Sequence, residues 1–144
     1  MVSTIIRSCL FFWKLEIPEP DYYLNIGSGN HSAQTGKMRA KIEEVLIQEK
    51  PDLVIVLGGT NSIVGGALAA VTLYIPVAHV ESGLRSFDRS LHEEVNHVVT
   101  DHISDLLSCP RQTSVDNLAK EGITHCVHLV GDVIVDAFVY IIGR

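Results

Sequence analysis

Apolar residues fall at two spacings along this chain, and the switch between them outlines a fold. Met38, Ile42, Val45 and Leu46 recur three and four apart, which predicts an amphipathic helix over 35–50 closed by Pro51. Residues 53–57 form an unbroken, β-branched run, the pattern of a strand buried on both faces. Gly58-Gly59-Thr60-Asn61-Ser62 reads as a turn, with Asn61 or Ser62 able to cap a helix over 62–73. A second strand follows at 75–80. Leu91, Val95, Val98 and Val99 mark a helix, Leu106–Cys109 a short strand, and 114–120 another helix. A strand at 126–130 ends at Gly131-Asp132, and Val133–Ile142 closes as an apolar helix.

This alternation predicts an α/β fold, a Rossmann-like parallel sheet with helices on both faces, its strands joined by right-handed crossovers. The regular part is 35–144. Residues 1–34 read as irregular or weakly structured, with an extended loop around Pro18 and Pro20 and a strand at 22–26. The segment from Met1 to Trp13 has a short apolar core and no small-residue cleavage site after it. It reads as a packed strand or helix rather than a targeting segment.

Composition narrows the function classes. At 144 residues, 47% of them hydrophobic, the chain is one domain with a sizeable core. Its net charge of -6 argues against broad nucleic-acid binding, which needs a basic footprint. No apolar run reaches membrane-spanning length. Cys9, Cys109 and Cys126 are odd in number and form no CxxC pair, which points to free thiols in a cytoplasmic protein rather than a disulfide framework or a zinc site.

Two motifs weaken on inspection. Gly27-Ser28-Gly29-Asn30-His31-Ser32 invites a dinucleotide fingerprint, but Ser32 stands where a third glycine is needed, so a flexible turn is the better reading. His92 and His97 are five residues apart, about 140° around a helix, and cannot ligate zinc as a pair four apart would. A third group is stronger. Glu81 directly follows the second strand, Arg85 lies four residues on, and Glu93 and Glu94 open the next helix. Ionisable groups gathered where a strand ends and a helix begins can shift one another's pKa and serve as acid and base. Only one of Glu93 and Glu94 can turn toward Glu81, and spacing does not choose between them.

Gly58-Gly59-Thr60-Asn61-Ser62, His79-Val80-Glu81-Ser82-Gly83-Leu84-Arg85-Ser86, Glu93-Glu94-Val95-Asn96 and Gly131-Asp132-Val133-Ile134-Val135-Asp136-Ala137 occur in this order. Together they resemble the non-hydrolysing UDP-N-acetylglucosamine 2-epimerases. The resemblance implies an incomplete N-terminal domain of a GT-B arrangement. It also implies interconversion of UDP-GlcNAc and UDP-ManNAc by elimination and re-addition of UDP, with no metal or nicotinamide cofactor. Glu81 with Glu93 or Glu94 would be the acid/base groups. Arg85, Thr60, Asn61 and Ser62 would bind substrate, and Gln34 would match a regulatory nucleotide-sugar position.

The chain also departs from the family pattern. Gly59 stands where the family carries a catalytic aspartate, and His92 and His97 replace the proline and arginine flanking Glu-Glu-x-Asn. By the resemblance, the family's first two strands and its C-terminal domain are expected to be missing from this stretch. An isolated chain is therefore expected to be inactive. A nonenzymatic remnant, a subunit completed by a partner chain, or a GT-B glycosyltransferase fragment remain as alternatives. Loss of a central strand is further expected to uncover apolar surface along 53–57, giving a weakly stable monomer or a homodimer joined through that edge.

Overall fold

Residues 18–27 and 29–143 are described by the structure, a computed structural model. The segment from Met1 to Trp13 lies outside them. The elements run α1 (His31–Glu49), β1 (Val54–Leu57), α2 (Asn61–Thr72), β2 (Val77–Val80), α3 (His92–Ile103), β3 (Leu106–Cys109), α4 (Gln112–Lys120), β4 (Val127–Leu129) and α5 (Val133–Ile142). All strands pair in parallel in the order β1-β2-β3-β4. The α/β alternation read from the sequence is thus the architecture of the chain.

Register explains where the core sits. Val56, His79, Leu107 and Val127 lie side by side across the sheet and share a face. Each strand is added on the same side of the last, so crossovers of one hand place the connecting helices together. The core agrees. Val56 and Val77 pack with Ala67, Ala69 and Ala70 of α2 and Leu46 of α1, while Leu107 and Cys109 on the same face pack with Leu118 of α4. Small residues let α1 and α2 approach closely, since a Cβ on Gly65 would touch Met38 and the Thr35 carbonyl at 3.5 Å.

Three expectations change. Residues 53–57 are not buried on both faces: Val56 is buried, but Ile55 and Leu57 are 66% and 52% exposed. An apolar run shows only that a strand could be covered twice, and the covering element must be supplied by the rest of the fold. Residues 22–26 form no strand. Instead Tyr22 donates to Glu49 and accepts from Gln48, tying the segment to the end of α1. Neither Asn61 nor Ser62 caps α2. Thr60 is the N-cap residue and makes no side-chain capping bond, because its hydroxyl pairs with that of Ser62 at 2.8 Å and the Asn61 amide is engaged elsewhere.

Candidate functional site

The carboxyl ends of parallel strands are where loops converge and ligands bind. Here they carry Gly58–Thr60 after β1, Glu81 after β2 and Asp132 after β4. Glu81 adopts a left-handed backbone, with φ 70°, rare for a residue with a side chain. Its carboxylate lies 3.6 Å from where a Cβ on Gly58 would stand, so that glycine leaves room for it. Burial, and then the nearby Asp132 carboxylate, push the Glu81 carboxyl above the usual range, only partly offset by His79.

A buried frame holds the loop in this shape. His79 is fully buried on β2; its Nδ1 meets Asp101 at 2.6 Å and its Nε2 donates to the Gly58 carbonyl at 2.9 Å. Asp101, on α3, also accepts from the Gly83 amide at 3.1 Å and from Arg85 at 2.7 Å. Arg85 completes a two-pronged pair with Glu121, both bonds 2.7 Å. Burial raises the Asp101 carboxyl, but the His79 and Arg85 bonds outweigh it and hold the group below the carboxylate range. For Arg85, burial opposes the charge, and Glu121 and Asp101 more than restore it. Gly83, at φ 72°, is required by the close approach of this loop: a Cβ there would stand 2.3 Å from the Ser114 carbonyl.

The two carboxylates that spacing could not separate take different places. Glu94 is buried and accepts from the Ser86 amide at 2.7 Å and the Ser86 hydroxyl at 3.0 Å, strapping the loop to α3. Glu93 is exposed. Arg85 is consumed by Asp101 and Glu121, so its buried guanidinium organises the loop rather than offering free donors.

A second cluster forms at the start of α2. The Asn61 amide donates to Gln34 at 3.1 Å and contacts His31 at 2.9 Å, while Asn96 donates to the Asn61 oxygen and to the Gly59 carbonyl. Gln34 and Asn61 are therefore brought together, and Thr60 and Ser62 lie exposed beside them. His92 and His97 go separate ways, His92 stacking on His31 at 3.8 Å and His97 tilting against His79 at 5.5 Å. The two departures at Gly59 and His97 are in contact, because a Cβ on Gly59 would lie 2.3 Å from the His97 ring.

His79, Asp101 and Asn96 were not singled out by sequence reasoning. For His79 a signal existed, since a histidine inside an apolar strand must find buried partners. For Asp101 and Asn96 only the helix's docking reveals the role. Among the described residues no helix is long and apolar enough to cross a membrane.

The family profile described as UDP-N-acetylglucosamine 2-epimerase matches residues 2–143. A UDP-N-acetylglucosamine 2-epimerase homolog of Methanococcus maripaludis is 58% identical over 89% of the chain. A UDP-2,3-diacetamido-2,3-dideoxy-D-glucuronate 2-epimerase of Pseudomonas aeruginosa is 46% identical over 94%. The UDP-GlcNAc 2-epimerase of Methanocaldococcus jannaschii, solved with UDP-GlcNAc and UDP, superposes with a TM-score of 0.88 at 54% identity over 91% of the chain. The chain spans 36%, 39% and 36% of these proteins respectively.

Proposed function

Because the chain belongs to the UDP-N-acetylglucosamine 2-epimerase family, we propose that it supplies the acid/base part of a site that inverts C2 of a UDP-linked 2-acetamido sugar. The observation that carries this reading is Glu81, a carboxyl raised by burial and by Asp132, at a strand end held by a buried frame. A carboxyl raised toward neutrality exchanges a proton more readily than an ordinary one.

In this reading UDP leaves C1 as the C2 proton is removed, and re-addition with the proton returned to the other face inverts C2. Glu81 handles a proton, and Glu93 is the second carboxylate open to substrate. Glu94 and Arg85 fix the loop. The backbone amides of Thr60, Asn61 and Ser62 lie at the N-terminus of α2, with the exposed Thr60 and Ser62 hydroxyls beside them, where the helix dipole favours a diphosphate. Gln34, bonded to Asn61, would connect that end of the site to a regulatory nucleotide sugar. Free thiols at Cys109 and Cys126 suit a cytoplasmic setting. One observation favours a second reading, a binding remnant: residue 59 carries no side chain, and the His97 ring fills its place.

The test places residues 18–143 in the M. jannaschii enzyme in exchange for its counterpart segment, with UDP-GlcNAc in D2O. The chimera is expected to yield UDP-ManNAc with deuterium at C2, and Glu81→Gln to remove both, while the isolated chain gives neither. A folded chimera that binds UDP yet never exchanges the C2 hydrogen would leave the binding remnant standing instead.

A further inference from the structure

We propose that His79 is a buried imidazolium and a positioning residue for the turn after β1, donating from both ring nitrogens, to Asp101 and to the Gly58 carbonyl, and so aiming the next amides toward a diphosphate. The diphosphate part rests on the reading of the site as a nucleotide-sugar site.

Hydrogen count decides the state of the ring. It is fully buried, with Nδ1 2.6 Å from Asp101 and Nε2 2.9 Å from the Gly58 carbonyl. A carbonyl oxygen only accepts, and so does an ionised carboxylate. Asp101 is ionised: its second oxygen takes the Gly83 amide at 3.1 Å and Arg85 at 2.7 Å, and its carboxyl is held below the usual range despite burial. A neutral imidazole has one N–H and would turn a lone pair on one of the two acceptors. With both nitrogens protonated, each contact is a hydrogen bond.

Charge agrees. Arg85 alone would face two carboxylates, Asp101 and Glu121, and the imidazolium makes the network two cations against two anions. A balanced buried network avoids the cost of an uncompensated charge. The neighbouring groups fit. From α3, His97 lies 5.5 Å away between centroids and is held below the ordinary histidine range by burial and then by His79. After β2, Glu81 is raised by burial and Asp132 and eased back by His79. On β3, burial pushes the Cys109 thiol up to about 11, so it adds no charge at neutral pH.

The bond to Gly58 also sets the turn. A trans peptide places its N–H opposite its carbonyl. His79 holds the Gly58 carbonyl, so the Gly59 amide points away from the ring. Asn96 holds the Gly59 carbonyl at 2.9 Å, so the Thr60 amide points away from Asn96. Neither amide has a partner among the described residues, and both lie between the end of β1 and the start of α2. Free amides with a cation fixed close by suit a diphosphate. Being buried, His79 acts through the turn and through its charge.

Nitrogen NMR of the chain with nitrogen-15 histidine reads the ring directly. Both nitrogens of His79, assigned through the backbone, should stay protonated from about pH 6 to about pH 9, either side of the ordinary histidine value. A bare nitrogen on His79 at neutral pH would overturn the imidazolium, whether or not the chain binds any ligand. His79→Gln keeps a donor for the Gly58 carbonyl and removes the charge. Inorganic pyrophosphate, followed by the Gly59 and Thr60 amide signals, should bind the native chain and bind this variant roughly tenfold more weakly. Equal binding by a folded variant would overturn the role of the charge. No response of either amide in the native chain would overturn their presentation, and with it the diphosphate end of the proposed function, while the state of the ring is decided by the first readout.

Discussion

The loop after β2 and the helix α5 are opposites built from equally legible sequence. Between His79 and Glu94 the chain is held by Asp101, Glu121, Ser108 and Asn117, and Glu94 bonds back to Ser86. α5 reads Val-Ile-Val-Asp-Ala-Phe-Val-Tyr-Ile-Ile and buries none of its residues. The comparison teaches that hydrophobicity makes an element and does not by itself bury it. Polar groups with fixed geometry define the loop, because each buried donor or acceptor must be matched. The apolar helix is specified locally by the Asp132 cap on the Ile134 amide and by its apolar side chains.

The largest effect should come from the centre of the frame. Asp101→Ala would leave His79 Nδ1 and the Gly83 amide unpaired and take away one of the two carboxylates on Arg85, and removal of one member of a buried charge network costs about 3–5 kcal/mol. Urea unfolding measures it. The pH dependence has a definite sign. The Asp101 carboxyl is held low in the fold, so its contribution is present above the unfolded value of about 3.9 and is lost as pH falls through the lower folded one. The variant should therefore show a flatter acid limb. An unchanged acid limb would mean the frame is not an electrostatic unit.

Edge and interior strands sharpen the contrast next. β1 pairs only with β2 among the described residues, and two of its four residues face outward. Amide exchange in β1 should be faster than in β2 by about tenfold or more. Equal protection would mean that something covers the edge, and sedimentation would then report whether a second copy does so.

Glu81→Gln should act in the other direction and less strongly. A carboxyl raised in the fold contributes stability below its unfolded pKa and loses it as pH rises through the folded one. At pH 7 the amide should match or exceed the native chain by up to about 1 kcal/mol, read from the same urea curves. A loss would show that the Glu81 charge supports the loop instead of being strained by it. Smallest of all should be Phe138→Ser on α5. With that ring 63% exposed, a change within about 0.5 kcal/mol is expected, and a larger loss would place a hidden contact there.

Much of this molecule could be read in advance. The helix–strand order, the Leu106–Cys109 strand and the Val133–Ile142 helix follow from spacing alone, because regular elements repeat at fixed periods. Residues 22–26 misled, because a short aromatic and apolar run does not say what it packs against, and here Tyr22 is tied to the end of α1 with no strand formed. At the site, Glu81 and the Glu93/Glu94 pair were visible as chemistry at a strand end and a helix start. Their division of labour was not, because adjacent helix positions differ by about 100° and only docking shows which one turns inward.

What the sequence determined by itself was the family, the parallel α/β order and the position of its ionisable groups along the chain. Tertiary structure decided which of those groups are buried and bonded into the frame and which stay open at the strand ends. Arg85 became part of the frame, Glu94 a strap, and Asp101 the hub that sequence reasoning passed over. The contact of Gly59 with His97 belongs to the same class. Local periodicity fixes elements within a few residues, whereas hydrogen-bond partners and excluded volume join positions 8 to 38 apart, and only the packed fold brings those into range.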